Sequence, residues 1–463
     1  MSSAVVVGGG VTGLVAARTL ALRGLDVTVM EASGRWGGKL GRSELDGVAL
    51  DTGAESVLAR RPEAVGLIAE LGLGGSLVHP TPAQPQALVG GQVRALPPSV
   101  LGVPADLDAL TGYLSVDGLA RARREPGLPA PALVADVSVG RYVDDRFGSE
   151  VTDRLLEPLL GGVYAGQARQ LSFAAVSPAL FERARHGGSL LAHAAELAAS
   201  APSGAVFAGL VGGISTLVTA LVTDLRRRGV HLRANVPVRE LHQGPGGGHR
   251  LVCGPASAPE VITADVVVLA VPAGPTGRLL SGLTPVAEEW AAIPYASTVV
   301  VSLAVRHLEL TGSGLLVPPG ELPTIKALTH SSRKWAWVAE EVDRRWGPVA
   351  DLVRVSVGRL GEEHLLQVDD DTLLARTFAE AATLPGWAGA QLVAGQVHRW
   401  GGALPQYRVG HRELVARLRR SLAQAGGLAV CGAALDGVGV AACLASANAA
   451  VDRVTAALSA TTA

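Results

Sequence analysis

The amino-acid sequence predicts an α/β fold in which two or three domains are interleaved rather than placed in series. The chain has 463 residues, more than one hydrophobic core of ordinary size accommodates. Its first segment alternates a β-branched run, a glycine turn, a helical stripe and a second β-branched run. Similar signals return near residues 213 and 428, and no flexible linker separates them. We therefore expect one domain to be assembled from several separate segments of the chain.

Composition and charge disfavour several classes of protein. Hydrophobic residues make up 48% of the chain, so the 58 glycines and 27 prolines indicate tight turns rather than disorder. The formal net charge of −1 gives no overall field that would attract nucleic acid. The three cysteines (Cys253, Cys431 and Cys443) form no CxxC pair and the histidines form no HExxH, so no metal site is predicted. No basic leader precedes the first strand, and we expect a cytoplasmic protein.

The stretch over residues 197–223 carries no charge and is long enough to span a bilayer. Glycines and a proline interrupt it, and its second half has the apolar spacing of an amphipathic helix. We expect at most peripheral contact with a membrane.

The first 71 residues predict a βαβ unit, then a hairpin and a helix. Strands are expected over residues 4–7 and 27–30, with a helix over 14–23 between them. A glycine-rich connection leads into a hairpin that ends near residue 50, and a helix follows over 62–71. Prolines between about residues 80 and 131 predict an irregular segment.

The remainder of the chain predicts a helical region, a return to the first sheet, and a second sheet. Helices are expected over residues 139–160, mainly over 171–197, and over 214–225, 371–382, 414–425 and 438–458. Strands are expected over residues 230–234, 236–241, 265–271, 298–305, 353–357, 392–397 and 428–430.

The first glycine turn, residues 8–13, has the sequence GGGVTG and fits the dinucleotide-binding pattern G-x-G-x-x-G. Gly8 permits the tight turn, Gly10 lets the backbone approach a diphosphate, and Gly13 lets the helix pack on the strand. The helix N-terminus attracts phosphate through its amides and its dipole. Glu31 ends the second strand, where it can accept hydrogen bonds from ribose hydroxyls. It would repel a 2′-phosphate, which disfavours NADP.

A second glycine pair follows within Arg35-Trp36-Gly37-Gly38-Lys39. Such a pair brings backbone against a longer cofactor, and Arg35 and Lys39 place cations near its phosphates. These features favour FAD over NAD.

With these motifs the chain resembles the FAD-dependent porphyrinogen oxidases, a branch of the amine-oxidase-like flavoproteins. The resemblance extends over nearly the whole length. Its wider features are residues 8–13, 31–32, 35–39 and 51–53. Its narrower motifs are residues 53–56, 61–64, 157–166, 403–411 and 436–440.

The resemblance implies a Rossmann-like FAD-binding domain of the p-hydroxybenzoate-hydroxylase type, a mixed-sheet substrate domain and a helical insertion. The FAD-binding domain is expected to comprise residues 1–80, 205–285 and 395–463, the substrate domain 81–95 and 286–394, and the insertion 96–204. The insertion is a candidate for contact with a membrane surface or with a partner protein.

The resemblance also implies which residues contact the cofactor. Val238 is expected to meet the adenine, and the helix that begins near Val438 is expected to direct its N-terminus at the flavin. The full set of expected FAD contacts is Gly8, Gly9, Gly10, Val11, Thr12, Gly13, Glu31, Ala32, Arg35, Gly38, Lys39, Gly53, Ala54, Glu55, Ser56, Val238, Trp400, Ala433, Val438, Gly439 and Val440.

Three further side chains are candidates for the substrate side of the site. Glu55 is the one candidate for a catalytic side chain, since its carboxylate could stabilise a transient cation of the substrate. The alternative is a structural carboxylate that is held by backbone amides. Arg61 and Arg94 are candidate anchors for substrate propionates, with exposed surface arginines as the alternative.

The activity implied is oxidation of coproporphyrinogen III to coproporphyrin III in haem biosynthesis, with O₂ as acceptor and H₂O₂ as product. Each of three two-electron steps would pass a hydride from a methylene bridge to flavin N5 and release a ring N–H proton. A downstream ferrochelatase is the candidate protein partner. Protoporphyrinogen IX is the alternative substrate, since it replaces two propionates by vinyl groups.

Two other functions remain open from the sequence. Another enzyme of the superfamily, an amine oxidase or a carotenoid desaturase, is disfavoured by residues 157–166 and 403–411. A non-catalytic protein that binds flavin and porphyrin is kept open because the chain departs from the family pattern at Ala54, Leu435 and Ala441-Ala442. The family has a proline at the first of these positions, and a tyrosine and a Pro-Asp pair at the others.

Overall fold

A computed structural model describes residues 2–202, 204–244 and 248–461. The strands are β1 Ser3–Val7, β2 Asp26–Met30, β3 Arg42–Leu45, β4 Val48–Asp51, β5 Val57–Leu58, β6 Leu77–Val78, β7 Pro85–Val89, β8 Gln92–Ala95, β9 Ser99–Val100, β10 Val103–Pro104, β11 Phe207–Leu210, β12 His231–Arg233, β13 Val238–Gln243, β14 His249–Cys253, β15 Glu260–Ala264, β16 Val266–Leu269, β17 Tyr295–Arg306, β18 Gly314–Leu316, β19 Ile325–His330, β20 Ala350–Val357, β21 Gln391–Pro405 and β22 Leu428–Val430. The helices are α1 Val11–Leu22, α2 Pro62–Glu70, α3 Val116–Ala122, α4 Val139–Phe147, α5 Ser149–Val151, α6 Glu157–Tyr164, α7 Phe173–Val176, α8 Pro178–Ala184, α9 Leu190–Ala199, α10 Thr216–Arg227, α11 Ala273–Leu279, α12 Ala287–Ala291, α13 Ser331–Lys334, α14 Ala336–Trp346, α15 Asp370–Ala381, α16 His411–Ala425 and α17 Val440–Thr461.

A parallel sheet in the order β12-β2-β1-β16-β22 joins segments that are far apart in the chain. Val7 of β1 lies opposite Met30 of β2 on one side and Leu269 of β16 on the other. Helices α1, α10 and α17 cover one face, where Leu14, Leu221 and other apolar side chains are fully buried. Because parallel strands need crossover connections, β-branched strands here alternate with helices. The predicted βαβ unit and the later returns to its sheet are confirmed.

A second, mixed sheet has the order β21-β17-β20-β19-β18-β7-β8. Only the β18–β7 pair is parallel among the described strands of this sheet. Because side chains alternate between the two faces of a strand, Leu303 and Val355 lie on the same face, where they form an apolar core with Leu373 of α15. The opposite face is polar around Ser302, which lies between Arg354 and a glutamine of β21, and apolar farther along, where Ala304 and Leu352 pack with α14. The predicted mixed sheet is confirmed.

The helical region differs from its prediction in one place. A continuous helix over residues 139–160 was expected, but α4 ends at Phe147. Gly148 has φ 96°, which is outside the helical range and open to glycine. The chain resumes as α5, passes through a π-helical turn over Thr152–Leu156 and continues as α6. The glycine therefore divides the predicted helix.

The proline-rich segment is also more regular than predicted. It contains the β7–β8 hairpin, whose turn is formed by Gly90 and Gly91 with φ values of 60° and 72°. Pro85 is the first residue of β7, where a missing amide hydrogen is tolerated.

Across the described residues, no helix is both long enough and apolar enough to cross a membrane. The uncharged stretch over residues 197–223 instead contains the end of α9, β11 and the start of α10, with residue 203 outside the described residues.

Candidate cofactor- and substrate-binding site

The glycine turn between β1 and α1 leaves no room for side chains. The amide of Gly8 donates to the carbonyl of Met30 at 2.7 Å, and its φ of 110° requires glycine. A Cβ placed on Gly8 would lie 2.6 Å from the carbonyl oxygen of Ala270, and one on Gly13 would lie 1.9 Å from that of Gly8. Close packing of α1 on the two strands thus depends on these glycines, as the sequence predicted.

Glu31 lies against the same turn. One carboxylate oxygen accepts a hydrogen bond from the amide of Gly9 at 2.7 Å, and the other accepts from the amide and hydroxyl of Ser33. Helix α1 begins at Val11, and Gly10 provides no side chain to cap it. The first amides of the helix are therefore available to an anion beside a fixed carboxylate.

The second glycine pair packs directly on the first turn. The amide of Gly37 donates to the carbonyl of Gly9 at 2.8 Å. A Cβ on Gly38 would lie 3.0 Å from the Cα of Gly10. Two stretches of bare backbone therefore lie side by side, which is the cradle that a dinucleotide diphosphate needs.

Lys39 is a cation without a carboxylate partner among the described residues. Its ammonium lies 5.3 Å from the centre of the Tyr295 ring. Burial lowers the pKa of Lys39 from 10.5 to about 8. Arg35 is exposed, donates to the carbonyl of Gly38 at 2.8 Å and stacks over Trp400 at 5.3 Å. A poorly solvated cation beside uncapped helix amides is suited to a phosphate.

The loop over residues 53–56 lies between Lys39 and Trp400. The Trp400 indole donates to the carbonyl of Thr52 at 2.7 Å. A Cβ on Gly53 would lie 1.8 Å from the carbonyl oxygen of Lys39, and the amide of Ala54 donates to that oxygen at 3.3 Å. Ser56 is half-buried in the same loop.

The remaining expected contacts come from β2, β13 and the start of α17. Ala32 follows β2 and is exposed. Val238 begins β13, two residues after Val236, and the amide of Val236 donates to the Glu31 carbonyl at 2.9 Å. The carbonyl of Ala433 accepts from the Tyr407 hydroxyl. Residues 438 and 439 lead into α17, which begins at Val440. A Cβ on Gly439 would meet no atom within 4 Å, so the approach to this helix end is open.

These residues fit FAD. The side-by-side glycine turns, the uncapped N-terminus of α1 and the unpaired Lys39 form a cradle for a diphosphate, with Glu31 at its edge. The Thr52 hydroxyl is buried and has no hydrogen-bond partner among the described residues, so it has donor and acceptor capacity to offer a ligand.

Glu55 lies in an ion-pair network that the sequence did not predict. Its carboxylate contacts the Lys334 ammonium and lies 3.5 Å from the Arg354 guanidinium. Burial by itself raises the pKa of Glu55, but Lys334 and Arg354 outweigh it and hold the pKa below its ordinary value. Arg354 also donates to the carbonyl of Gly53, which connects β20 to the cofactor loop. Arg354 comes from β20 of the second sheet and Lys334 from α13, which follows β19, and no motif marks them.

The two predicted propionate anchors lie in different surroundings. Arg61 is exposed and forms an ion pair with Glu63 at 2.9 Å. Arg94, on β8, donates to Gln92 at 2.6 Å, and its Nε is buried without a partner among the described residues. Near it lies the Tyr113 hydroxyl, whose pKa burial raises to about 12. Neither arginine is bonded to Glu55.

Two of the narrow motifs lie against each other. Residues 157–166 form α6 and the turn after it, and residues 403–411 form the end of β21 and the start of α16. The rings of Tyr164 and Tyr407 have centroids 5.5 Å apart. Ala165 adopts φ 48°, and its carbonyl accepts from the amide of Leu360 at 2.8 Å. The motifs therefore meet at one end of the mixed sheet.

Comparison with known proteins agrees with this geometry. Residues 11–455 match the family of flavin containing amine oxidoreductases. The chain is similar to a coproporphyrinogen III oxidase of Mycobacterium tuberculosis strain H37Rv, with 38% identity over 98% of each chain. It is also similar to the coproporphyrinogen III oxidase of Bacillus subtilis strain 168, with 29% identity over 96% of each chain.

A solved structure of similar fold is that of a proposed protoporphyrinogen oxidase from Exiguobacterium sp. 255-15. The two share 28% identity and a TM-score of 0.84, over 99% of each chain. The matched family covers nearly the whole chain. The chain therefore belongs to the flavin containing amine oxidoreductases, and it is an FAD-dependent oxidoreductase.

Proposed function

We propose that this protein oxidises coproporphyrinogen III to coproporphyrin III in haem biosynthesis, with O₂ as the acceptor and H₂O₂ as the second product. The observation that carries the proposal is the 38% identity to the Mycobacterium tuberculosis coproporphyrinogen III oxidase, which extends over 98% of both chains. The contact between residues 157–166 and 403–411 supports the proposal, since both motifs belong to the sequence resemblance to the porphyrinogen oxidases.

FAD, when bound, supplies the two-electron acceptor for this chemistry. The amides at the start of α1 and the Lys39 ammonium bind its diphosphate, and Glu31 binds the adjacent ribose. Trp400 and the start of α17 border the flavin. The other residues proposed to contact FAD are Gly8, Gly9, Gly10, Val11, Thr12, Gly13, Ala32, Arg35, Gly38, Gly53, Ala54, Glu55, Ser56, Val238, Ala433, Val438, Gly439 and Val440.

Glu55, Lys334 and Arg354 have a positioning role in this proposal. The Arg354 guanidinium donates to the Gly53 carbonyl and lies beside the Glu55 carboxylate. These bonds fix the loop over residues 53–56 relative to the mixed sheet. The distance between the cofactor loop and the sheet that lines the substrate side is thereby fixed. A fixed distance orients the substrate against the cofactor. Because two cations already compensate the Glu55 carboxylate, we assign it this role rather than direct stabilisation of a substrate cation.

We propose the following division into domains. Residues 1–80, 205–285 and 395–463 form the FAD-binding domain, residues 81–95 and 286–394 the substrate domain, and residues 96–204 the helical insertion. The strands of the parallel sheet all fall in the first set, and α3–α9 all fall in the insertion. Strand β21 begins at Gln391 and pairs with β17 as far as Pro405, so it runs from the second domain into the first.

We further propose a cytoplasmic location, a ferrochelatase as the protein that receives the porphyrin, and peripheral contact of the insertion with a membrane or that partner. The peripheral contact of the insertion is supported by its three exposed valines, Val116, Val134 and Val163.

The decisive experiment compares two substrates on the purified yellow protein. O₂ consumption and the rise of porphyrin fluorescence are followed with coproporphyrinogen III and, in parallel, with protoporphyrinogen IX. We expect both signals with coproporphyrinogen III, at a kcat/KM at least about tenfold above that for protoporphyrinogen IX. Protein that carries FAD but consumes no O₂ with either substrate would overturn the enzyme proposal in favour of a non-catalytic binding protein.

Protoporphyrinogen IX is the second candidate substrate. The observation that favours it is the likeness to the proposed protoporphyrinogen oxidase of Exiguobacterium sp. 255-15, at a TM-score of 0.84. A reversed order of kcat/KM in the same experiment would select it.

A further inference from the structure

Lys326 is a buried cation that the cofactor site does not use. It lies on β19 and is 5% exposed. Its ammonium has no hydrogen bond and no ion pair with any described residue. Burial, reinforced by the nearby charge of Arg359, lowers its pKa from 10.5 to about 7, and Glu362 opposes this only in part. An anion bound beside this ammonium would favour its charged form.

Arg359 is a second buried cation beside it. It follows β20, is 7% exposed and donates from Nη2 to the carbonyl of Val317 at 3.0 Å. Its Nε is buried and has no partner among the described residues. Glu362 approaches Nη1 only to 3.6 Å. The guanidinium therefore retains donor capacity for a ligand.

The acidic groups nearby do not balance these two cations. Glu362 is the one carboxylate within ion-pair distance of Arg359 among the described residues. Glu157, on α6, also faces Arg359, but burial raises its pKa, and its carboxylate accepts from the amide of Ala168 at 2.7 Å. Two basic side chains therefore share one carboxylate at ion-pair distance among the described residues, and a bound anion would favour the charged form of Lys326.

Helix α6 presents two successive glycines to this part of the sheet, one of them beside Arg359. A Cβ built on Gly161 would lie 3.5 Å from Nε of Arg359, and one on Gly162 would lie 3.8 Å from Leu316. Two successive glycines weaken a helix interior, so their presence requires a packing reason. A larger side chain at Gly161 would crowd the Arg359 guanidinium.

Strand register places the pair at a defined distance from the flavin side of the site. Trp400 on β21 lies opposite Thr298 on β17. The next residue of β17 lies opposite Val357 on β20, which lies opposite Ile325 on β19. Three interstrand steps of about 4.8 Å, or roughly 14 Å, separate Trp400 from the strand that carries Lys326. A tetrapyrrole with one bridging carbon at the flavin carries its peripheral carboxylates across such a distance.

We infer that Lys326 and Arg359 form a carboxylate-binding subsite that holds a propionate of the tetrapyrrole, on the side of the site away from Trp400. This inference rests on the proposed function. It adds a specificity determinant, since a substrate that has propionates on more of its rings has more ways to place one between these two cations.

The test uses the FAD-loaded protein and two stable probes, coproporphyrin III and its tetramethyl ester, which lacks the carboxylates. Dissociation constants are measured by fluorescence for the unchanged protein and for Lys326→Met, Lys326→Arg and Arg376→Met. The last removes an exposed arginine of α15, on the opposite side of the sheet, and controls for net charge. We expect Lys326→Met to weaken coproporphyrin III binding by about tenfold or more and to leave ester binding unchanged. Lys326→Arg should restore binding, and Arg376→Met should have no effect.

Stability gives an independent readout. Because Lys326→Met replaces a buried amine that has no hydrogen-bond partner among the described residues by an apolar side chain, its Tm without porphyrin should equal or exceed that of the unchanged protein. The inference is overturned if Lys326→Met binds coproporphyrin III normally, or if binding of the acid and of the ester weakens equally, which would indicate a purely structural role. The proposed function is tested separately by O₂ consumption of the unchanged protein. A charge-dependent loss of binding without turnover would refute the activity and leave the subsite standing.

Discussion

Gln406 donates a hydrogen bond from its side-chain Nε2 to the carbonyl oxygen of Tyr164 at 2.8 Å, in the buried interior. The two residues are 242 positions apart in the chain and belong to the two motifs that meet at the end of the mixed sheet. A Cβ on Gly166 would lie 2.1 Å from the Gln406 side-chain oxygen. The glycine after α6 thus makes room for the glutamine that fixes the helix to β21.

We predict that Gln406→Leu destabilises the protein by about 1–3 kcal/mol, because the Tyr164 carbonyl loses a buried donor. Urea unfolding measures this change, and KM for the porphyrinogen should rise because α6 is no longer fixed. Gln170→Leu is the matched control, since Gln170 bonds Gln167 at the surface and should cost less than about 0.5 kcal/mol. Equal effects of the two changes would contradict the assigned role of Gln406.

We predict that Gly13→Ala abolishes or strongly weakens FAD binding. The new Cβ would lie 1.9 Å from the Gly8 carbonyl oxygen, so α1 must move away from β1 and its amides leave the diphosphate site. The absorbance ratio of flavin to protein after purification measures the loss. Gly66→Ala is the control, because Gly66 lies within α2 with no atom within 4 Å of its Cβ position, and the change should stabilise the helix by up to about 1 kcal/mol. A yellow Gly13→Ala protein with normal FAD content would refute the prediction.

The cofactor cradle was predictable because its parts are close together in the sequence. Residues 8–39 contain both glycine turns, Glu31 and Lys39, and short-range rules link them. The structure brings these parts together, and the Glu31 carboxylate accepts from the Gly9 amide at 2.7 Å, a bond that the sequence did not predict. The contacts of these residues with FAD stay predictions.

The substrate side was not predictable in the same way. Lys334 reaches Glu55 from helix α13 and Arg354 through the register of a mixed sheet, and they are separated from it by 279 and 299 positions in the chain. Single-sequence patterns carry no register information across such distances. Arg61 was a candidate propionate anchor, and its guanidinium bonds Glu63 two residues away at the surface, so this role stays a prediction. The division of the long predicted helix at Gly148 was missed because apolar spacing continues through the glycine.

We predict that Glu55→Gln destabilises the protein at neutral pH by about 3 kcal/mol, since Lys334 then remains buried without its carboxylate. The pKa of Glu55 is lower in the folded protein than in the unfolded chain. Its contribution to the free energy of unfolding is therefore complete above about pH 4.5, and it is lost as the pH falls through the folded-state pKa. Denaturant unfolding of both proteins across the acid range should show their difference shrinking as the pH decreases.

Glu63→Gln is the control for this pH dependence. The Glu63 carboxylate pairs with Arg61, which is largely exposed, so the change should cost no more than about 1 kcal/mol. A difference between the unchanged protein and Glu55→Gln that stays constant from neutral pH into the acid range would show that the Glu55 charge is not responsible.

We predict that FAD affinity depends on pH through Lys39. Burial lowers the pKa of this lysine to about 8 in the protein without FAD, and a bound diphosphate would favour its charged form. Affinity should therefore be constant below about pH 8 and fall above it by up to tenfold per pH unit, until the pKa of the complex is reached. Quenching of FAD fluorescence on titration with apoprotein, between about pH 6 and 10, measures this.

Two variants assign that dependence to Lys39. Lys39→Met should bind FAD more weakly and without the decrease above about pH 8, whereas Lys39→Arg should bind it at all these pH values, because a guanidinium stays charged. The neighbouring Tyr295 cannot substitute for Lys39 as the titrating group, since burial raises the pKa of its phenol to about 12. If Lys39→Met retained the same decrease of affinity with pH, another group would carry the charge, and the placement of the diphosphate beside Lys39 would be wrong.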